Sequence, residues 1–195
     1  RADSLAFDMH KWLSMPFEIG CILIRREPDQ RKSFSMNPDY LAHTDRGVAG
    51  GKLWFGDYGI QLTRNFRALK AWMMLKAHGS EKFGRMIQKN VNQARYLTDL
   101  VDASPMLERL APTSLNIVCF RFIGQGRHSE EALNDLNREL LLRLHESGIA
   151  VPSYTVLDGK YSLRVANVNH RSQQDDFDIL IQTVIQIGKE LESEK

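Results

Sequence analysis

Hydrophobic positions along this chain follow different patterns in different stretches. Residues 17–26, FEIGCILIRR, are almost continuously apolar and rich in isoleucine until an arginine pair and Glu27-Pro28 end the run. That pattern predicts a strand buried on both faces, as inside α/β sheets. From Glu27 to about Gly59 no period holds, and Pro28, Pro38, Gly47, Gly50, Gly51, Gly56 and Gly59 mark a long loop. Unstructured connections longer than roughly 12–15 residues are uncommon in compact domains and are often lids or binding loops. We expect one helical turn after Asn37-Pro38 and mobility around DRGVAGG, residues 45–51.

A helical period then takes over. In RNFRALKAWMMLKAHG, residues 64–79, Phe66, Leu69, Trp72, Met73 and Ala77 share one face, and Gly79 supplies a stop. This spacing assigns the Trp-Met-Met cluster to a core. From Ser80, a plausible N-cap, a second helix carries Phe83, Ile87, Val91, Ala94, Leu97 and Val101 as its stripe. The remainder alternates. LNIVCFRF (115–122) reads as a strand, and a helix from Ser129 turns Leu133, Leu136, Leu140 and Leu144 inward and closes at Gly148. IAVPSYTV and KYSLRVANV form two strands around Asp158-Gly159, a strong hairpin signal. A last helix starts at Ser172, with Phe177, Leu180, Ile181, Val184 and Ile187 on or near one face. The sum is the end of an α/β domain (1–59), a helical connector (60–104) and a small α+β domain of order β-α-β-β-α (105–195).

Composition narrows the field. The 195 residues suffice for one sizeable domain, or one and a fraction. A net charge of +2 gives no reason to expect nucleic acid or an anionic membrane as partner. No apolar run approaches the roughly 20 residues that cross a bilayer, and RADSLAFD lacks the features of a secretory signal. Cys21 and Cys119 lie in apolar strand-like runs, so we expect buried free thiols and a reducing, cytoplasmic setting.

Candidate chemistry concentrates at FDMHKWLS, residues 7–14, where an acid, an imidazole, a primary amine and an indole fall within five positions. No element is expected before it to support a site, which suggests that supporting structure lies upstream. In isolation, Lys11 could be a solvated lysine at a loop end or a nucleophile.

With ADSLAFDMHKWL (2–13), NPDYLAH (37–43), TRNFRALKAW (63–72) and SLRVAN (162–167) as anchors, the chain resembles the C-terminal part of the pyridoxal-phosphate-dependent group II amino-acid decarboxylases of the aromatic type. The resemblance implies an aminotransferase-like (fold type I) α/β architecture, a homodimer, and a first half carrying a ring-stacking histidine and a pyridinium-pairing aspartate. We therefore expect the N-terminal half of the same enzyme to be a partner of this segment. Lys11 then condenses with the aldehyde of pyridoxal 5'-phosphate, for which it must be desolvated or set near other cations. The apolar run after it could provide that burial. His10 stands where the family places an imidazole against the cofactor phosphate. Asp8, where relatives often carry Asn, would repel a phosphate unless a donor intervened. Tyr40 matches a tyrosine on a mobile catalytic loop, a proton donor after carbon dioxide leaves. Relatives with Phe there tend toward oxidative deamination, so Tyr argues for simple decarboxylation. His43 either assists or is solvated.

Arg164 can be argued locally. Ser162, Arg164 and Ala166 face one way along their strand, and small neighbours leave room above the guanidinium. It could clamp a substrate carboxylate with two hydrogen bonds, or pair with an aspartate of the chain. Arg64 could serve a subunit interface or the first turn of a helix. The leading expectation is decarboxylation of an aromatic L-amino acid. Glutamate, aspartate or cysteine sulfinate as substrate is the alternative, and a non-catalytic dimerisation module is the reading from another class.

Overall fold

The segment ahead of the His-Lys-Trp turn is already a strand. In the computed structural model, which describes residues 1–36, 38–41, 44–48, 50–51, 53–126 and 128–194, β1 (Ser4–Asp8) pairs antiparallel with β2 (Gly20–Ile24), from Ser4 opposite Ile24 to Asp8 opposite Gly20. The site therefore does have a preceding element, contrary to the sequence-based expectation. The predicted doubly buried strand is also corrected: Leu5, Ile22 and Leu23 are exposed. A two-stranded ribbon has too few neighbours to cover both of its faces.

The expected loop from Glu27 begins as a helix, α1 (Glu27–Phe34). Pro28 starts this helix instead of breaking it, because the first helical positions lack hydrogen-bond acceptors for their N–H groups anyway. Acids in the first turn and Arg31 and Lys32 in the last complement the helix dipole. This charge order, and no apolar period, carries the helix. The anticipated turn after Pro38 is present at Asp39–Leu41, and a second 3-10 turn spans Phe55–Tyr58. That second turn is fastened to α1. Gln30 donates to Tyr58 O (2.8 Å), Tyr58 Oη donates to Glu27 (2.5 Å), and buried Asp57 meets Arg31 and Ser35 (both 3.3 Å).

The helix α2 (Arg67–Ala103) is broken at Gly79, whose φ of 72° and ψ of 157° are non-helical, as the stop signal implied. Contacts divide the chain at the same place into two units, Arg1–Gly79 and Ser80–Lys195. Before the break, the apolar face did not become core: Phe66, Leu69, Trp72 and Met73 are all exposed, Trp72 at 61%. The period fixed which residues share a face, but burial needs a second surface, and unit 1 supplies none there.

The second unit has a closed core. After the break α2 buries Phe83, Ala94, Leu97 and Val101. β3 (Leu107–Arg109), a short strand the pattern did not reveal, lies beside β4 (Ile117–Phe122). α3 (Glu130–Glu146) is capped by Ser129, whose Oγ accepts from Ala132 N. β5 (Ser153–Leu157) and β6 (Lys160–Ala166) follow, joined through Asp158 (φ 50°) and Gly159 (φ 78°) in the left-handed region that a tight hairpin requires. α4 (Gln174–Ser193) opens with a Gln173–Asp176 capping box, so its cap is Gln173 and not Ser172, where the sequence placed the start. The antiparallel sheet has the order β3-β4-β6-β5. Phe120, Phe122 and Leu163 from it share one core with Leu140, Leu144 and Val184 from the helices.

Polar groups in this core are satisfied. Asn137 bridges Phe122 N and O, and the Asn90, Gln93 and Asn167 amides join α2 to the chain after β6. The buried Arg121 guanidinium binds Glu108 and, bidentately, Glu130, while Lys160 meets Glu108 at 2.9 Å. Burial pushes the Glu108 carboxyl up, but hydrogen bonds from Lys160 and Arg121 outweigh it and hold the group below its ordinary value.

Gly188 shows how tightly α4 approaches the sheet. A Cβ there would sit 2.5 Å from the fully buried Phe122 ring. Alanine would favour the helix by about 1 kcal/mol, whereas overfilling a packed core costs about 1–3 kcal/mol. We expect Gly188→Ala to lower the thermal unfolding midpoint, and a raised midpoint would show that the ring can move aside.

Candidate active site

The turn between β1 and β2 is folded back on itself by backbone hydrogen bonds. Met9 N and His10 N reach Ile19 O (3.0 and 3.4 Å), Lys11 N reaches Asp8 O (3.3 Å), and Met15 N reaches Met9 O (3.1 Å). Met15 and Ile19, the two buried residues of this stretch, anchor it from beneath. The consequence is that Asp8, His10 and Lys11 are held together at one end of the ribbon.

His10 is oriented by two residues, Ile19 and Phe17. Its Nδ1 lies 3.1 Å from Ile19 N and 3.0 Å from Ile19 O, and the Phe17 ring stands T-shaped to the imidazole with centroids 4.9 Å apart. Ile19 O is already occupied by backbone N–H groups, so the tautomer that satisfies the network accepts from Ile19 N at Nδ1. The proton then sits on Nε2, at the far edge of the imidazole, available as a donor.

Lys11 Nζ is 2.5 Å from Asp8 Oδ2, and its side chain is 67% exposed. The hydrogen bond from Lys11 holds the Asp8 carboxyl below the usual range. Exposed pairs of this kind are weak and readily exchanged. The expectation that the apolar run would desolvate Lys11 is thus not met within this chain: β2 runs away from the amine in the pleated ribbon, and its Ile22 and Leu23 side chains are themselves exposed.

The other sequence candidates are placed elsewhere. Tyr40 lies in the 3-10 turn Asp39–Leu41, with its ring 82% exposed, and among the described residues no contact joins it to His10 or Lys11. His43 lies outside the described residues. Arg64 is exposed and precedes α2, so it belongs to no helical turn. Arg164, in the second unit, donates to Ser153 Oγ (3.3 Å), its cross-strand neighbour, and lines an open groove with Ser153 and Asn167. Among the described residues no carboxylate pairs with it, which leaves its carboxylate-binding capacity unspent. Cys21 and Cys119 are free thiols, half-buried instead of fully buried, and burial pushes the Cys119 thiol up. Sequence reasoning missed Phe17, Glu18 and Ile19 as the residues that orient the imidazole. Their only signal was position, directly before β2.

Comparison with known proteins shows which family this turn belongs to. The profile of the pyridoxal-dependent decarboxylase conserved domain matches residues 1–123. The chain belongs to that family. Aromatic-L-amino-acid decarboxylase of Bacillus atrophaeus is 35% identical over 90% of this chain and 36% of its own length. Tyrosine decarboxylase 4 of Petroselinum crispum is 32% identical over 92% of the chain and 38% of its own length. The chain therefore spans little more than a third of these relatives. Among solved structures, Oryza sativa TDC with PLP and tryptamine superposes with a TM-score of 0.86 at 28% identity, covering 98% of this chain and 39% of that one. The fold is that of the C-terminal portion of a fold type I decarboxylase. Its donor set suits the family's cofactor: an accessible primary amine for an aldehyde and, one residue earlier, an imidazole N–H for an anion. Among the described residues no helix is long and apolar enough to cross a membrane.

Proposed function

We propose that the protein containing this chain removes carbon dioxide from an aromatic L-amino acid to leave the amine, with pyridoxal 5'-phosphate attached at Lys11. The observation that carries this reading is the turn itself: within the family match, Lys11 is accessible and follows directly on an imidazole whose Nδ1 is engaged by Ile19 N. The chemistry the cofactor supplies when bound is a sink for the electron pair left as carbon dioxide departs.

Beside the groups expected from the N-terminal half of the enzyme, this chain's own side chains have separate roles. Lys11 would hold the cofactor aldehyde through Nζ, its oxygen leaving as water, once the amine has exchanged its Asp8 contact and lost the ammonium proton. His10 donates from Nε2 to the phosphate. Tyr40 delivers its hydroxyl proton to the substrate carbon that has lost its carboxylate. The guanidinium of Arg164, which among the described residues has no carboxylate partner, binds the substrate with His43. Residues 1–59 form the end of the cofactor-binding large domain, 60–104 the helical connector and 105–195 the small domain. A homodimer in the cytoplasm completes the proposal, consistent with the exposed apolar faces of the first unit and with two free thiols.

Carbon dioxide release from a panel of amino acids tests the substrate class. The full-length protein should release it fastest from tyrosine, tryptophan, phenylalanine or DOPA, with the amine in equal amount. Faster turnover of glutamate or cysteine sulfinate would replace the aromatic reading with the acidic one.

A further inference from the structure

Phe66-Arg67-Ala68-Leu69-Lys70 is the motif whose role neither the fold nor the proposed chemistry absorbs. Its apolar members are exposed, and its two cations occupy the first turn of α2, where no acid is present. Positive charge at a helix N-terminus opposes the dipole, so helix stability does not explain Arg67 and Lys70. Their contacts do. Arg67 Nε donates to Glu18 Oε1 at 3.0 Å, and Nη2 reaches the same oxygen. Nη1 donates to Gln61 Oε1 (3.3 Å). One turn along, Lys70 Nζ donates to Phe17 O (3.1 Å) and Glu18 O (3.4 Å). The hydrogen bond from Arg67 lowers the Glu18 carboxyl from its usual value.

Both cations therefore grip the dipeptide directly before Ile19. Ile19 supplies the backbone N–H that fixes His10 Nδ1, and Phe17 supplies the ring that packs T-shaped against the imidazole. Phe17 is 80% exposed, so burial does not hold it in place. Its backbone must be held another way, and Lys70 holds it.

On the reading that His10 contacts the cofactor phosphate, we infer that Arg67 and Lys70 are positioning residues that fix Phe17–Ile19 and, through them, the orientation of the His10 imidazole. Neither touches the amine or the imidazole; they act one backbone segment away.

The test uses the full-length protein, titrated with pyridoxal 5'-phosphate and read by visible absorbance. Lys70→Met and Arg67→Met should each weaken binding by about tenfold, the scale on which an outer partner of a ligating histidine matters. Lys70→Arg should restore it. In a His10→Ala background, Lys70→Met should cost nothing further, because the imidazole it positions is gone. An equal loss in both backgrounds would reduce Lys70 to a general structural residue and overturn the inference, as would unchanged affinity in the single variants. If His10→Ala itself binds cofactor normally, the reading of His10 fails instead. The clamp is then judged by the His10 ring proton shifts of the cofactor-free protein, which Lys70→Met should move and which, unmoved, refute it. Glu18→Gln removes Arg67's charged partner without altering the helix, and serves should Arg67→Met not fold.

Discussion

Replacing Lys11 with alanine is expected to abolish both the visible absorbance of the cofactor-loaded full-length protein and its carbon dioxide release. The loss of rate should be on the order of 10³ or more, the scale on which removal of a covalent catalytic group acts. The stability of the cofactor-free protein should not change with it. The Lys11 side chain is largely exposed and its pairing with Asp8 is a surface contact, so the alanine variant loses neither packing nor a buried charge partner. That separation makes the experiment decisive: unchanged thermal unfolding with lost absorbance assigns Lys11 to chemistry. Lys11→Arg sharpens it further, since a guanidinium keeps the positive charge beside Asp8 but cannot condense with an aldehyde. If either variant keeps the visible band, the amine that holds the cofactor is elsewhere and the reading of the turn is lost.

Tyr40→Phe is expected to leave substrate affinity within about twofold while amine formation falls by roughly 10²–10⁴, the range attributed to one general acid. The ring is exposed, so removing its hydroxyl disturbs no core and leaves no buried group unpaired. With no proton delivered to the substrate carbon, and with dissolved dioxygen as the oxidant, an aldehyde should accumulate in place of amine, together with ammonia and hydrogen peroxide, as the family resemblance implies for phenylalanine at this position. Separation of products by chromatography distinguishes this from simple loss of activity. Undiminished amine production would transfer the proton-donor role to another group.

Much of the second unit was legible in the chain. Leu133, Leu136, Leu140 and Leu144 announced α3, and they are buried. Asp158-Gly159 announced its hairpin, and both residues take positive φ. These signals are local: a leucine period or a turn dipeptide needs nothing distant to be read. β3 escaped because three residues carry no period, and α1 escaped because its stability rests on proline placement and charge order instead of an apolar stripe. The exposed face of Phe66, Leu69, Trp72 and Met73 marks the same limit from the other side. A period states which side chains align, never what covers them.

The site divides along the same line. His10 and Lys11 were recognisable from sequence because adjacency in the chain places them together in any fold. Their family followed from motifs spread over the whole chain. What tertiary structure alone decided is how the imidazole is held: Ile19 returns to Nδ1 across the β1–β2 ribbon, and Arg67 and Lys70 reach back some 50 positions to Phe17 and Glu18. Hydrogen bonds form between groups brought near in space, and the sequence order of those groups records nothing of that approach until the backbone has folded.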